Sequence, residues 1–337
     1  MKVTIYDVAK KAGVSISTAS KALNDRKDVG EKTKEKIKQI AKELSYEPSH
    51  FARALAMKKT ENIGVLTVRY YSTPMLTNPF YSKIIEGIEE GLIDSNLNLV
   101  TSVLKREQIN NLELPKMLKE KNVDGLILLG YMPEEFVNLV ASRGLPVVVV
   151  DNYVNENINM IVTDDEGGAY EAVSYLIKTG HKRIAYLSGP SKRKSFKMRE
   201  QGYIKALKEN GISVNYDFIL HNDDEVSGFE WMKKILKSEE KPDAIFACND
   251  VTAILCINML REYGLKVPDD ISVIGFDNIE IGEHFIPSLS TMDIDKERMG
   301  IKAVNILIDK ISNKSKSIER IVFPVNLIIR DSVKNRI

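Results

Sequence analysis

Residues 4–24 carry two helix signatures separated by one tight turn, and few folds accommodate that arrangement. Thr4, with Asp7 three residues on, has the pattern of a capping box. Ile5, Val8, Ala9 and Ala12 recur at helical spacing. Gly13 supplies the turn, and Ser15 can cap a second helix. That helix presents Ser17, Thr18, Ser20 and Lys21. Short hydrogen-bonding side chains let a helix sit deep in the major groove of duplex DNA, where a cation reaches guanine edges or phosphate. An ordinary helical hairpin would share the periodicity but not the coincidence of turn, caps and basic surface. A third helix is expected over residues 31–46, with Ile37, Ile40, Ala41 and Leu44 inward and Lys32, Lys34, Lys36 and Lys38 on its outer faces.

Charge supports this reading. The net charge of the 337 residues is only +1, but residues 1–60 hold 14 Lys and Arg against seven Asp and Glu, while the other 277 hold 34 against 40. A basic head on a mildly acidic body suits localised DNA contact. Cys248 and Cys256 have no metal-ligand spacing and read as small buried hydrophobes. The four histidines form no ligand pattern, so no metal or cofactor is expected. No apolar run is long enough to span a membrane and no signal segment is evident, so a cytoplasmic chain is expected.

The segments Thr4–Ala9, Ala12–Ser15, Thr18–Ser20, Leu23-Asn24, Tyr46–Ser49 and Ala52–Leu55 together resemble the headpiece of the LacI/GalR family of bacterial transcription regulators, and the resemblance continues over nearly the whole chain. It implies a sequence-specific regulator, most often a repressor, that binds a pseudo-palindromic operator as a homodimer. Thr4, Tyr6, Ser15, Ile16, Ser17, Thr18, Lys21 and Asn24 fall at DNA-contact positions. Lys21 stands where many members carry arginine, which lessens any expectation of bidentate guanine contact, and Gly30 replaces the usual serine cap. After Pro48, Ser49 can cap a segment too short to be a stable helix alone. In the family this segment orders on DNA and a leucine wedges into the minor groove. His50, Arg53, Leu55 and Lys58 take the corresponding places.

From Asn62 onward, apolar runs alternate with amphipathic stretches. Strands are expected over Ile63–Val68, Leu97–Val103, Gly125–Leu129, Pro146–Val150, Arg183–Ser188, Ala244–Cys248, Ile271–Phe276 and Ile321–Ile329. Helices are expected over Pro79–Ser95, Leu112–Lys121, Glu166–Thr179, Lys197–Asn210, Gly228–Lys237, Val251–Tyr263 and Lys296–Lys310. The alternation predicts α/β architecture with parallel sheets. Length predicts two lobes, divided at a loop near Asp151–Thr163. The resemblance adds a periplasmic-binding-protein-like core in which the chain crosses back near Ser288–Met292 and again near Arg320. The expected organisation is therefore an all-α helix-turn-helix head over 1–47, a hinge and linker over 48–60 and an effector-binding and dimerisation core over 61–337. Lobe 1 would take about 61–161 and 292–320, and lobe 2 about 162–291 and 321–332.

Ligands of open α/β sheets bind beyond the strand carboxyl ends. Asp151, Asn249 and Asp277 stand at such ends, and Arg199 begins a helix near another. Each alone reads better as a cap or a loop hydrogen bond. As a converging set they suit vicinal hydroxyls, and the resemblance makes them contacts to a small-molecule effector, expected to be a carbohydrate, with Phe80 and Tyr81 packing on it. Asp223 stands where the family often stacks an aromatic ring. The basic loop 191–197, with Lys197, allows an alternative in which the effector is a sugar acid or sugar phosphate. An enzyme or a transport protein of the same core fold is the competing class. No nucleophile elbow, phosphate loop or dinucleotide fingerprint follows a strand.

Overall fold

The computed structural model describes residues 3–26, 28–46, 59–69, 77–222, 233–235 and 240–337. His50, Arg53, Leu55 and Lys58 of the expected hinge, Asp223, and most of the helix expected over 228–237 lie outside them.

The head contains α1 (Ile5–Ala12), α2 (Ile16–Leu23) and α3 (Glu31–Glu43). The Asp7 carboxylate accepts from the Thr4 N–H at 2.9 Å and from its hydroxyl at 2.7 Å. The Thr18 N–H donates to Ser15 Oγ at 3.0 Å, so both expected caps are made. Gly13 closes α1 at φ 72°, a left-handed conformation that favours glycine. Val8, Ala9, Ala12, Ala19, Ala22, Ile37 and Ala41 form the core, whose small residues let three short helices cross closely. The lysine run departs from expectation. Lys34 is buried and paired with Glu31, and Lys36 donates to the Ala12 carbonyl, one of the C-terminal carbonyls that α1 leaves without an intrahelical partner.

The core contains, in order, β1 (Asn62–Arg69), α4 (Pro79–Leu92), β2 (Asn98–Lys105), α5 (Arg106–Asn110), α6 (Lys116–Lys119), β3 (Gly125–Leu129), α7 (Glu134–Ala141), β4 (Val147–Val150), β5 (Asn159–Thr163) and α8 (Asp165–Lys178). It continues with β6 (Ile184–Leu187), α9 (Lys194–Glu209), β7 (Ile219–Leu220), β8 (Ala244–Ala247), α10 (Asp250–Glu262), β9 (Ser272–Ile274), α11 (Glu280–His284), β10 (Thr291–Ile294), α12 (Lys296–Ile311), β11 (Arg320–Phe323) and β12 (Val325–Ile328). A parallel six-stranded sheet of order β11-β5-β4-β3-β1-β2 makes lobe 1. A parallel four-stranded sheet, β7-β6-β8-β9, makes lobe 2. The antiparallel pair β10–β12 forms the crossover between them. Strands such as Val147–Val150 are buried on both faces, which explains why they read as unbroken apolar runs rather than alternating ones.

Three departures from the sequence reading have physical causes. The stretch 159–163, expected to be loop, is strand β5 of the lobe 1 sheet, because polar Asn159 and Thr163 leave only Met160, Ile161 and Val162 as an apolar run, too short to stand out after the Asn- and Glu-containing residues before it. The strand expected over 321–329 breaks at Pro324, which has no N–H to give a ladder. β11 before it stays in the lobe 1 sheet and β12 after it pairs with β10, so the second return lies at Pro324 rather than near Arg320. Within 112–121, only Lys116–Lys119 is helical, following Pro115.

Helices α4 and α12 pack across lobe 1 through glycines. A Cβ built on Gly87 would come within 1.9 Å of the Glu297 carbonyl oxygen, and one on Gly300 within 2.1 Å of the Ile84 carbonyl oxygen. Gly87→Ala should therefore cost about 1–3 kcal/mol through forced separation of the helices. It should lower the melting temperature by about 2–4 °C for each of those kcal/mol. An unchanged thermal denaturation curve would refute the close approach.

Asp250 fastens lobe 2. It is fully buried and accepts from the Thr291 hydroxyl at 2.6 Å and the Ile279 N–H at 2.8 Å, joining α10 to β10 and to the segment before α11. Burial pushes its carboxyl up to about 7, against which these two donors pull it down. The folded value lies above that of an unfolded aspartate, near 4, so the folded state binds the proton more tightly. The stabilising contribution is full below about pH 4 and is lost as pH rises towards 7. Asp250→Asn removes that dependence. The variant's melting temperature relative to wild type should therefore climb between pH 4.5 and pH 7.5 (about the titration window), whereas parallel curves would refute the assignment.

Candidate functional site

Polar residues at the strand carboxyl ends divide into two kinds. Asn78, Asp164, Asn249 and Asp295 cap the helices that follow, each accepting a backbone N–H at 2.8–3.0 Å. Asn249, expected at the effector, is thus occupied as the cap of α10, with its side chain accepting from the Thr252 N–H. Asp151 and Asp277 cap nothing. They stand at φ 58° and 115°, backbone that non-glycine residues rarely adopt and that is concentrated at functional sites.

Around Asp277 the chain builds a buried charge cluster. Arg199, on α9, is 3 % exposed. Its Nε donates to Asp165 Oδ1 at 2.8 Å, Nη1 lies 3.6 Å from Asp277 Oδ1, and Nη1 also donates to the Cys248 carbonyl. The guanidinium lies 3.6 Å from the centre of the Phe276 ring, a cation–π contact. Burial alone would depress the Arg199 pKa, but the Asp165 and Asp277 carboxylates more than reverse that and keep it charged. Burial raises Asp277 well above the ordinary carboxylate range, with Arg199 pulling it back. On the next segment, the Lys296 ammonium donates to the carbonyls of Asp277, Asn278 and Ile294 at 2.5, 3.3 and 3.0 Å. This side chain leaves the first residue of α12 in lobe 1 and pins the lobe 2 loop that carries Asp277.

Lobe 1 presents Tyr81, whose hydroxyl donates to Asp151 Oδ2 at 2.6 Å. Phe80 and Tyr81 are both buried, meeting edge-to-face at 5.1 Å between ring centres. The Asp151 carboxyl is pushed up to about 6, first by burial, opposed by the Tyr81 hydroxyl, raised by Asp165 and lowered by Arg193 and Arg199. Asp165, Arg193 and Arg199 belong to lobe 2, so the two lobes share one electrostatic environment.

Contacts across the lobes use residues the sequence did not single out. The Tyr153 hydroxyl donates to Asp165 Oδ2 at 2.9 Å. The Arg193 guanidinium lies 5.9 Å from the Tyr131 ring centre of lobe 1 and 5.6 Å from that of Phe196. Lys197, expected to face the effector, is instead exposed, away from the buried face of α9 that carries Phe196, Arg199 and Tyr203. The cation of this loop that acts on Asp151 is Arg193. Ser188, at the end of β6, is buried with no hydrogen-bond partner for its hydroxyl among the described residues. A cavity of about 1050 Å³ opens elsewhere, at the crossover between Lys83, Asn278, Asp293, Lys296 and Lys302.

On the head, Thr4, Tyr6, Ser15, Ile16, Ser17 and Lys21 are exposed and Thr18 is half-buried. Asn24 instead turns its amide to the Ser20 carbonyl at 2.8 Å. Tyr6 and Ile16 are 58 % and 48 % exposed, apolar surface left uncovered among the described residues of the head.

Residues 4–49 match the family model of bacterial regulatory proteins of the lacI family, and residues 173–333 that of a periplasmic binding protein-like domain. The chain is 40 % identical to the HTH-type transcriptional repressor PurR of Histophilus somni (strain 129Pt), over 98 % of this chain and 99 % of the relative. The solved lac repressor dimer bound to operator and the anti-inducer ONPF superposes with a TM-score of 0.80 at 29 % identity, covering 99 % of this chain and 100 % of that one. A complex of the transcriptional regulator CelR with cellobiose gives 0.75 at 29 % identity, covering 98 % and 99 %. The relatives are transcriptional regulators, not enzymes, and no helix among the described residues is long and apolar enough to cross a membrane. With this head, this two-lobed core and these relatives, the chain belongs to the lacI family of bacterial regulatory proteins, DNA-binding transcriptional repressors that act as dimers under the control of a small-molecule effector.

Proposed function

We propose that the effector is a neutral, hydroxyl- or N–H-bearing small molecule, a sugar being the type case, held between Tyr81 and Asp151 of lobe 1 and Arg193, Arg199 and Asp277 of lobe 2. The observation that carries this is the charge balance of the cluster. Asp151, Asp165 and Asp277 converge on it opposite Arg193, Arg199 and Lys296, with Arg199 already engaged by two of the carboxylates and the Lys296 ammonium by three backbone carbonyls. An added anion would face three carboxyls, whereas a hydroxyl can donate to Asp151 or Asp277 and leave the ion pairs intact. The exposure of Lys197 removes the main support for a sugar acid or phosphate. CelR, whose complex holds cellobiose, is a solved relative with this core.

In the same reading, residues 1–47 form the DNA-reading head, 48–60 the hinge and 61–337 the core, acting in the cytoplasm where operator DNA lies. Ser17 and Lys21 read bases and the exposed Tyr6 and Ile16 pack against the duplex. Effector held by both lobes changes their relative pose, and operator affinity changes by the ratio of effector affinities for the two poses.

A thermal-shift screen tests the effector class, since ligand bound to the folded state raises its melting temperature. Cellobiose, other neutral sugars and the matching aldonic acids and sugar phosphates form the panel. A neutral sugar should give the largest shift. Tyr81→Phe and Asp277→Asn should each weaken that ligand by about 5- to 150-fold through one lost hydrogen bond to a buried group, with operator binding retained, and Lys197→Ala should change nothing. A larger shift from an acid or phosphate, lost in Lys197→Ala, would overturn the proposal. Arg199→Ala is a poor probe, because stripping a buried cation from two carboxylates costs about 3–5 kcal/mol of stability by itself.

A further inference from the structure

The head holds more lysine than it offers to DNA. Lys11, Lys34 and Lys38 are drawn to Glu43, Glu31 and Asp25 at 2.9, 2.7 and 2.5 Å. A further pair differs in place. The Lys21 ammonium, on the last turn of α2, donates to Asp28 Oδ2 at 2.6 Å, and Asp28 comes from the loop leading to α3. Both side chains are about half exposed, at 49 % and 56 %, where an ion pair adds little to folding. The pair does, however, occupy the one cation that α2 carries.

We infer that Asp28 is a specificity-determining residue, which holds the Lys21 ammonium and so lowers affinity for arbitrary duplex more than for the operator. The inference rests on the reading above that Lys21 faces DNA. On arbitrary duplex, Lys21 can neutralise a phosphate only by leaving Asp28, whose carboxylate then stands unpaired beside the polyanion. The counterion released by the lysine is offset by the charge uncovered. At a G·C pair the carboxylate need not be stranded. Guanine O6 and N7 accept from the ammonium while the cytosine amino group donates to the carboxylate. The pair therefore discounts phosphate contact and leaves base contact available.

The full-length protein, titrated with a random-sequence duplex over a salt series, tests this without knowledge of the operator. Asp28→Asn should raise affinity for that duplex about three- to fivefold at low salt, the order expected for freeing one exposed ion pair. It should also steepen the log–log salt slope by about 0.9. Its affinity for a duplex selected from a random pool by the wild-type protein should rise less, and its melting temperature should not move. In a Lys21→Met background, Asp28→Asn should change neither affinity nor slope, because the cycle isolates the pairwise contribution. An equal effect of Asp28→Asn in both backgrounds would show a general charge effect and overturn the inference, as would no effect in either. Lys21→Met without effect on either duplex would remove Lys21 from the DNA, and with it the reading on which the inference stands.

Discussion

The core is organised around one buried guanidinium. Arg199 meets Asp165 at the start of α8, Asp277 beyond β9, the Cys248 carbonyl at the end of β8 and the face of Phe276. An isolated charge at this depth would be far too costly to keep. Surrounded in this way it ties α9 to three other segments of lobe 2 at fixed separations, and any one partner lost leaves the rest uncompensated. The remaining polar groups of the cleft take their character from it. Asp277 titrates against Arg199, Asp151 feels both across the lobe boundary, and Lys296 holds the left-handed loop that keeps Asp277 in reach. The site is thus prearranged, so a ligand that engages both lobes acts on elements already coupled to one another.

Much of this could be read from the residues. The head was legible because caps, a turn glycine and helical periodicity agree there, as Thr4, Gly13 and Ser15 show. The strand list was legible wherever a flanking turn bounded an apolar run, as at Gly125–Leu129, which the structure reproduces. β5 was hidden because Asn159 and Thr163 cut its apolar run to three residues, where Gly125–Leu129 carries an unbroken Leu-Ile-Leu-Leu. Asp165 was hidden with it, since its role depends on α8 beginning directly after that strand. Asn249 and Asp277 look alike in sequence, each at the end of an apolar run, and only backbone geometry separates a helix cap from a residue at φ 115°. Lys197 shows the converse: a basic loop in sequence splits into Arg193 facing inward and Lys197 facing out, because the helix beginning at Lys194 fixes which side each takes.

The chain divides its electrostatic tasks between head and core. In the cleft, charges are buried, few and mutually engaged, so their effects are local and weakly screened. In the head they are exposed, numerous and paired loosely across short loops, so their effects depend on salt and can be exchanged for phosphate or base contacts. The two regimes let one polypeptide hold a stable buried charge cluster and a readily exchangeable DNA surface.

The crossover has a consequence for the making of the protein. The lobe 2 sheet is assembled from strands between Ile184 and Ile274, but its partner lobe ends on β11, drawn from residues 320–323. During synthesis the described strands of the later lobe's sheet can therefore all pair while the earlier lobe still presents β5 as a bare edge. Such an edge is a template for pairing with other chains. The first lobe to emerge from the ribosome is the last to finish, and a chain broken off before Arg320 cannot finish it.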